Sequence, residues 1–455
     1  MTLAPYKRRD KHGIHRGTIW VSLDLETILI HPYLLFQTPS PKNSMRILHT
    51  SDWHLGQHFI GKSRQAEHQA LIDWLLVQVD AHAVDAVLVA GDIFDTGTPP
   101  SYARELYSQL VVRLHSAGVA LLLLGGNHDS VATLGESRAL LACLSTTVIG
   151  AADDPNGQVV VLPKRGGQGV AGCVVCAIPF IRPRDVLQSQ AGQSAEDKQQ
   201  SLQAAIQAHY AAVFDAASTR RAALEVELGH KLPLIATGHL TTVGASTSES
   251  VREIYVGSLN AFPSTAFPVV DYIALGHIHQ PQKVGGLDHI RYCGSPIPLS
   301  FDEVRQQKEV LLVDLDANGL QTVTPLPVPR FQALVSVSGN LIALAASILV
   351  AAADGTPERP VWLEVTVAED DYLSDLPVRI EVMTEGLPVE VLRIRRQRSN
   401  AAAALAAVAC ETLDELSPHD VFTRRLAQEE LAEDLKLALH DRYRAIVTSL
   451  QEGQA

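Results

Sequence analysis

Five short polar motifs carry aspartate, asparagine and histidine side chains of the kind that bind divalent metal ions. In chain order the motifs are SDWH, GDIFD, GGNHD, TGHL and ALGHIH. Their candidate metal ligands are Asp52, His54, Asp92, Asn127, His239, His277 and His279. This mixture of imidazole nitrogens with carboxylate and amide oxygens suits manganese, iron or zinc, whereas a closed structural zinc site would use cysteine thiolates. Manganese is the metal that we expect.

A pair of such ions would act on a phosphate ester. Asp92 follows Gly91 at the end of an apolar run, a position from which its two carboxylate oxygens can bridge two cations. Two ions about 3.5–4 Å apart would stabilise the attacking and leaving oxygens of an in-line displacement at phosphorus and would lower the pKa of a bound water toward about 7. Any one of the 18 histidines is weak evidence by itself. The prediction therefore rests on the five motifs occurring together, each after an apolar run.

A further histidine, His128, stands beside the candidate ligand Asn127. Adjacent side chains on an extended loop point in different directions, so we expect His128 to face the phosphate rather than an ion. With a pKa near neutrality, it can stabilise developing charge or protonate the leaving oxygen. Asp95 is the candidate to orient His128, with Asp129 as a second. An aspartate shortly before two prolines, as Asp95 is, also fits an ordinary turn residue.

Each motif follows an apolar run with the length of a buried strand. The runs are RILHT, AVLVA, ALLLL, PLIAT and VVDYIAL. Amphipathic helices are predicted at Glu67–Val79 and Ser101–His115, and a longer helix at Ala195–Leu228 is expected to pack outside the sheet. This alternation predicts the α/β class. Loops beyond the carboxyl ends of strands in such folds converge on one crevice, so ligands distant in sequence can meet.

The chain divides into four predicted segments. Residues 1–44 precede the first core strand and are expected to be a poorly ordered tail or the product of an upstream start codon. Residues 45–326 form the α/β core, and the proline-rich PLPVPR at 325–330 breaks helix and strand periodicity at its end. Residues 327–398 are predicted to be a small α/β domain, and residues 399–455 a linker with C-terminal helices.

Two later features each have two interpretations. The basic run RIRRQR at 393–398 fits contact with phosphates, although a solvated basic strand end is the stronger interpretation on sequence. The apolar stripe between Phe422 and Leu450 fits packing against the chain itself and, with equal weight, docking of a terminal helix onto a partner protein.

Composition restricts the class of protein. A net charge of −13 argues against a surface that is basic throughout, but it allows a local nucleic-acid site on an acidic protein. Five cysteines, mostly in apolar surroundings, fit reduced thiols in a cytoplasmic protein. Cys173 and Cys176 have the spacing of a zinc pair, but their run CVVCAIPF predicts a strand, which would place the thiols on opposite faces. We expect no membrane association, because no segment has the apolar length of a membrane span.

The motifs resemble the calcineurin-like metallophosphoesterases, whose pattern runs D-x-H, G-D-x-x-D, G-N-H-D, G-H and G-H-x-H. Wider segments such as VAGDIFDTGTPPSYAR and RYCGSPIPLSF resemble the bacterial SbcD nuclease-subunit family. The resemblance implies a layered β-sandwich core flanked by helices. It also implies that one ion is held by Asp52, His54, Asp92 and His279 and the other by Asp92, Asn127, His239 and His277, with His128 as the catalytic histidine.

The same resemblance implies a partner and a substrate. The partner would be a large SbcC-like ATPase whose coiled coil the C-terminal helices grip, and a homodimer of the nuclease chain is a further expectation. The complex would degrade double-stranded DNA ends with 3′ to 5′ polarity, cut single strands and open hairpins, in DNA replication, recombination and repair. The small domain would cap the nuclease domain and help to dock DNA.

Two other functions compete with this interpretation. The five motifs alone would equally fit a phosphomonoesterase or a phosphodiesterase of small molecules, although such an enzyme has little need of a cap and a terminal partner helix. A non-catalytic scaffold of the same fold is the other alternative, and it should lack ligands that this sequence retains.

Overall fold

Two six-stranded sheets packed face to face form the centre of the fold. The structure, a computed structural model, describes residues 44–166, 169–187, 195–251, 254, 261–368 and 375–396, and the single positions 426, 439, 442 and 443. The strands of the first sheet lie in the spatial order β14 (Gly319–Pro327), β13 (Glu309–Asp316), β1 (Met45–Thr50), β4 (Ala86–Val89), β5 (Ala120–Leu124) and β6 (Thr146–Ile149). Strands β1, β4, β5 and β6 are parallel, and β13 is antiparallel to both of its neighbours.

The second sheet repeats this mixed arrangement. Its strands lie in the order β11 (Gln282–Lys283), β12 (Ile290–Tyr292), β10 (Tyr272–Gly276), β9 (Leu234–His239), β8 (Ala171–Cys176) and β7 (Val159–Pro163). Strands β8, β9, β10 and β12 are parallel, and antiparallel strands cover the two edges. Each sheet therefore has a group of four parallel strands whose carboxyl ends lie at one rim.

Helices cover the outer faces of both sheets. Those of the core are α1 (Gln65–Ala81), α2 (Ser101–Ser116), α3 (Val131–Gly135), α4 (Arg138–Cys143), α5 (Pro183–Val186) and α6 (Ala195–Leu228). Short 3-10 turns occur at Pro155–Gln158, Ser264–Ala266 and Phe301–Glu303, and a small hairpin is formed by β2 (His58–Phe59) and β3 (Lys62–Ser63). Buried side chains of α1 and α2 pack on the first sheet, and those of α6 pack on the second.

A third apolar core fills the space between the sheets. Met45, Ile47 and Leu88 from the first sheet meet Val175 and Ile235 from the second, and all five are essentially fully buried. The strands read as nearly continuous apolar runs because both of their faces are covered. The structure confirms the predicted α/β class with a layered β-sandwich core flanked by helices.

The two cysteines with zinc spacing belong to different layers. Cys173 lies in the core between the sheets, whereas Cys176 lies in the outer core under α6. Both are buried free thiols. Successive side chains of a strand alternate in direction, so residues three apart face opposite ways, as the sequence predicted.

A small α/β domain follows the sandwich. It consists of β15 (Leu334–Gly339), α7 (Leu341–Ala352), β16 (Val361–Val367), α8 (Leu376–Thr384) and β17 (Val389–Arg396). The strands form a parallel sheet in the order β15, β16, β17, with a core of its own. The predicted C-terminal helices and the predicted tail before Ser44 lie outside the described residues, apart from four single positions.

An aromatic cluster joins the small domain to the sandwich. The ring of Phe59, from the β2–β3 hairpin, stacks on Trp362 of β16 with centroids 5.7 Å apart and packs against Phe301 at 5.1 Å. On β17, Arg393 and Arg395 each contact Glu364, at 2.5 and 3.1 Å. Two arginines of the basic run are therefore engaged with a glutamate.

The proline-rich segment after the sandwich differs from the prediction. Strand β14 continues through Pro325 to Pro327. Pro325 is paired with Leu311 on β13, and Pro327 with Glu309. Proline is tolerated there because β14 is an edge strand, so the missing N–H groups cost no hydrogen bond to a further strand. No helix among the described residues is long and apolar enough to cross a bilayer.

Candidate metal centre

The predicted ligands come from the carboxyl ends of five strands in two different sheets. In the first sheet, Asp52 and His54 follow β1, Asp92 follows β4 and Asn127 follows β5. In the second sheet, His239 ends β9, and His277 and His279 follow β10. Because the strands of each group are parallel, all of these positions lie at the same rim.

The structure brings the seven side chains together. Potential ligand atoms lie within 4.8 Å of one another in three overlapping groups, which are Asp52, His54 and His279; His54, Asp92 and His128; and Asp92, His239 and His277. Asn127 joins the last group, because its Oδ1 lies 2.9 Å from His239 Nε2 and 3.1 Å from His277 Nδ1. Asp92 thus stands between two clusters.

Unusual backbone conformations occur at the same positions. Asp52, His54, Asp92 and His277 have φ values of 53°, 47°, 50° and 89°, and they are four of the seven non-glycine residues with positive φ in the described part of the chain. Such conformations cost about 1–3 kcal/mol each and persist where the surrounding structure enforces them, as at functional sites. The loops are therefore held in the shapes that aim these side chains at one place.

Glycines allow the loops to approach each other. A Cβ on Gly126 would lie 2.1 Å from Asp92 Oδ1 and 2.3 Å from the main-chain nitrogen of Asp92. A Cβ on Gly91, where φ is +98°, would lie 2.1 Å from His239 Nδ1. The GDIFD and GGNHD motifs thus need glycine for close contact between backbone and ligand.

The ring nitrogens of the histidines show which atoms could bind an ion. Nδ1 of His54 lies 3.2 Å from the Asp95 carboxylate. Nδ1 of His239 lies 2.8 Å from the Ala90 carbonyl. Nε2 of His54 is buried without a hydrogen-bond partner. A buried polar nitrogen in that state is costly, and a cation would satisfy it. The donor set and this unpaired nitrogen together fit divalent metal ions.

The charges of the cluster shift the protonation of its members. Burial would lower the pKa of His239, but the Asp92 carboxylate, together with Asp52 and the Ala90 carbonyl, outweighs burial and raises that pKa to about 9. Burial likewise disfavours ionisation of Asp92, yet the His239 imidazole keeps the pKa of Asp92 well below its ordinary value. Because a ligand imidazole must be neutral, an ion at His239 has to displace a proton.

Asp95 contacts His128 through its main chain and not through its carboxylate. His128 Nδ1 donates to the main-chain carbonyl of Asp95 over 2.8 Å, whereas the Asp95 carboxylate contacts His54. The Asp129 carboxylate accepts hydrogen bonds from three backbone N–H groups, those of Ile93, Phe94 and Gly126. Asp95 thus holds both histidines through two different groups, and Asp129 ties together the two loops that carry Asp92 and His128.

Sequence reasoning did not find the residues that surround His279. Its Nδ1 lies 2.6 Å from Ser250 Oγ and 3.3 Å from the buried carboxylate of Glu303. Lys308, also buried, donates to Glu303 over 2.7 Å. In the sequence, Glu303 is visible only as a charged residue shortly after the apolar stretch PIPLSF. That position does not reveal that its carboxylate contacts His279.

Comparison with known proteins identifies the family of the chain. The family model described as Calcineurin-like phosphoesterase matches residues 45–281, and the model described as Type 5 capsule protein repressor C-terminal domain, SbcD_C, matches residues 330–430. The D component of the nuclease SbcCD from Escherichia coli (strain K12) is 53% identical over 393 residues, which are 86% of this chain and 94% of that protein. The corresponding SbcCD component of Rhodobacter capsulatus is 33% identical over 378 residues, which are 80% of this chain and 90% of that protein. The chain therefore belongs to the SbcD nuclease-subunit family of the calcineurin-like phosphoesterases and is a hydrolase.

Proposed function

We propose that this nuclease cleaves phosphodiester bonds in DNA with two divalent cations, in a complex with an SbcC-type ATPase. The observation that carries the proposal is the convergence of seven nitrogen and oxygen ligands from both sheets, including Nε2 of His54, which is buried without a hydrogen-bond partner. The name of the relatives, which marks each as one component of the nuclease SbcCD, supports the assignment to a complex.

The ligand groups suggest how the two ions are shared. One ion is assigned to Asp52, His54, Asp92 and His279, and the other to Asp92, Asn127, His239 and His277. We assign Mn²⁺, because mixed imidazole and oxygen ligation without thiolates suits it. When bound, the ions supply an activated water and stabilise the charge that develops on the phosphate.

His128 is assigned to the leaving oxygen of the substrate. Its imidazole is only half-buried, and the centroid of its ring lies 4.6 Å from that of His54. Because Nδ1 donates to the Asp95 carbonyl, we assign the proton transfer to Nε2. A histidine in this place can transfer a proton to the departing oxygen. Asp95 is assigned a positioning role, through its carbonyl on His128 and its carboxylate on His54.

The remaining segments are assigned to DNA and partner binding. Residues 45–326 form the nuclease domain, residues 327–398 cap it over the DNA, and residues 399–455 bind the ATPase. The aromatic contact of Phe59 with Trp362 supports a cap that is seated on the nuclease domain. The substrates are DNA ends, hairpins and single strands, and a homodimer of the nuclease chain would place two sites in one complex.

Cleavage of a labelled DNA hairpin tests the proposal. The purified chain, alone and with its ATPase partner, is assayed with Mn²⁺, with Mg²⁺ and with a chelator, beside a chromogenic phosphodiester. We expect metal-dependent hairpin cleavage that falls by at least about 100-fold in Asp92→Asn, because a displaced metal ligand disrupts the reacting geometry. Asp288→Asn is the control, since its exposed carboxylate pairs with Lys283 away from the cleft. Cleavage that survives the chelator or Asp92→Asn would refute the proposal, and hydrolysis of the small substrate alone would favour a small-molecule phosphodiesterase.

A further inference from the structure

His279 is held by a buried polar network that the reaction does not itself use. Ser250 Oγ donates to Glu303 Oε1, so the 2.6 Å contact between Ser250 Oγ and His279 Nδ1 takes its hydrogen from the imidazole. The Glu303 carboxylate accepts from the same Nδ1–H over 3.3 Å. These contacts fix the tautomer of His279 with hydrogen on Nδ1. The lone pair of Nε2 is then available to bind a metal ion near Asp52 and His54.

Glu303 is itself immobilised from several sides. It is 0% exposed and lies in the 3-10 turn that follows Ser300. Its carboxylate accepts from Ser248 Oγ at 2.7 Å, from the backbone N–H of Leu299 at 3.0 Å and from Lys308 Nζ at 2.7 Å. A buried carboxylate with this many partners cannot reorient without breaking the whole network.

Lys308 connects the network to the backbone of the ligand loop. Its side chain is 3% exposed, and the ammonium group donates to the carbonyl of His279 at 2.8 Å and to Ser295 Oγ at 3.0 Å. The Glu303–Lys308 ion pair therefore grips both the imidazole and the main chain of His279. Removing one partner of a buried pair leaves an uncompensated charge, so the pair acts as a unit.

The four histidines of the centre differ in their outer contacts. His54 and His279 each have a carboxylate at Nδ1, from Asp95 and Glu303. His239 has the carbonyl of Ala90 instead. A carboxylate partner fixes ring orientation and makes the imidazole a more basic ligand, and its loss typically weakens metal binding about 10–100-fold.

We propose that Glu303, braced by Lys308, is a positioning residue for His279 and sets the affinity of the ion held near Asp52 and His54. The inference rests on the ligand assignment proposed above. The two ions should therefore differ in their dependence on Glu303. The affinity of the ion bound by His54 and His279 depends on Glu303, whereas the affinity of the ion bound by His239 and His277 does not.

Mn²⁺ binding to the full chain tests this role. Binding is measured by calorimetry and by EPR of free and spin-coupled Mn²⁺, and thermal unfolding in chelator reports on the metal-free fold. In Glu303→Gln we expect one of the two ions to bind about 10–100-fold more weakly while the other is unchanged, with loss of the spin-coupled signal at Mn²⁺ concentrations that saturate the unmodified chain. The double variant Glu303→Gln with Lys308→Met removes both charges of the buried pair, so it gives the same readout if the single variant folds poorly.

Asp302→Asn is the matched control. It makes the same chemical change one position earlier in the same turn, where Asp302 contacts Ser300 and the backbone N–H of Glu249 rather than His279. Two ions bound by both Glu303 variants with the affinities of the unmodified chain would overturn the positioning role, as would equal weakening of both ions. If the unmodified chain itself binds no pair of ions, the ligand assignment fails instead, and the two failures are thereby distinguished.

Discussion

Gly126→Ala should disable the metal centre by displacing Asp92. The added Cβ would lie 2.1 Å from Asp92 Oδ1 and 2.3 Å from the Asp92 nitrogen, whereas Cβ atoms essentially never come closer than 3.0 Å to another heavy atom. The contact with the main-chain nitrogen requires the loops to separate by at least 0.7 Å, the difference between 2.3 and 3.0 Å. Rotation of the carboxylate cannot relieve the contact with the main-chain nitrogen, so the backbone itself has to move.

The expected size of the effect follows from this displacement. Distances in metal sites hold within about 0.2 Å, so the required movement is several times larger than a shared ligand tolerates. A misplacement of about 1 Å costs on the order of 100-fold in rate, and overpacking of this kind costs about 1–3 kcal/mol of stability. We therefore expect at least about 100-fold slower DNA cleavage, with loss of spin coupling between two Mn²⁺ ions.

The assay compares Gly126→Ala with Gly135→Ala. Gly135 ends helix α3, and a Cβ there would meet nothing within 4 Å, so the same substitution should leave cleavage and ion binding unchanged. Hairpin cleavage rates and Mn²⁺ titrations are measured for both variants beside the unmodified chain. Normal cleavage and two tightly bound ions in Gly126→Ala would refute the claim that the close approach of these loops positions Asp92.

Four further outcomes are expected. His128→Ala should retain both ions but cleave DNA about 10²–10⁴-fold more slowly, because a proton-transfer group has been removed. Calorimetry would measure ion binding and initial rates would measure cleavage, and loss of an ion would show that His128 is a ligand instead. Mn²⁺ affinity should rise with pH by up to about tenfold per unit toward pH 9, because the pKa of His239 is about 9 without metal and deprotonation frees the ring nitrogen for the ion. A Mn²⁺ affinity that does not change between pH 6 and 9 would contradict this protonation state. Trp362→Ala should lower the free energy of unfolding by about 3–5 kcal/mol in denaturant titrations, because it removes the aromatic stack on Phe59; an unchanged midpoint would show that the cluster does not stabilise the cap. Deletion of the residues after Leu405 should abolish co-purification with the ATPase while leaving Mn²⁺ binding intact, and undiminished co-purification would rule out the terminal helices as the docking element.

Local patterns were sufficient to predict most elements and the gathering of the ligands. The helix predicted at Glu67–Val79 extends over Gln65–Ala81, and the helix predicted at Ala195–Leu228 has those bounds in the structure. Apolar periodicity records which faces are buried, so it identifies an element before its neighbours are known. The convergence of the seven side chains followed from topology, because parallel strands end at one rim.

Features that depend on distant neighbours could not be predicted in this way. Pro325 appeared to break a strand, but it lies on an edge, and edge position is a property of the whole sheet. The sequence singled out Asp95, but not that its carbonyl would hold His128 while its carboxylate holds His54. Glu303 lies in a turn without periodicity, and its contact with His279 is made only by the folded chain.

The ligand cluster crosses the seam between the two halves of the sandwich. Side chains from one sheet and imidazoles from the other would share the same cations, so neither half alone offers a complete coordination shell. Binding of the ions would then hold the two sheets together and stabilise the folded chain. The free energy of unfolding would rise by about 2.7 kcal/mol when free metal exceeds its dissociation constant 100-fold. A cell short of the right metal would in this way hold a nuclease that is both inactive and easier to unfold and degrade.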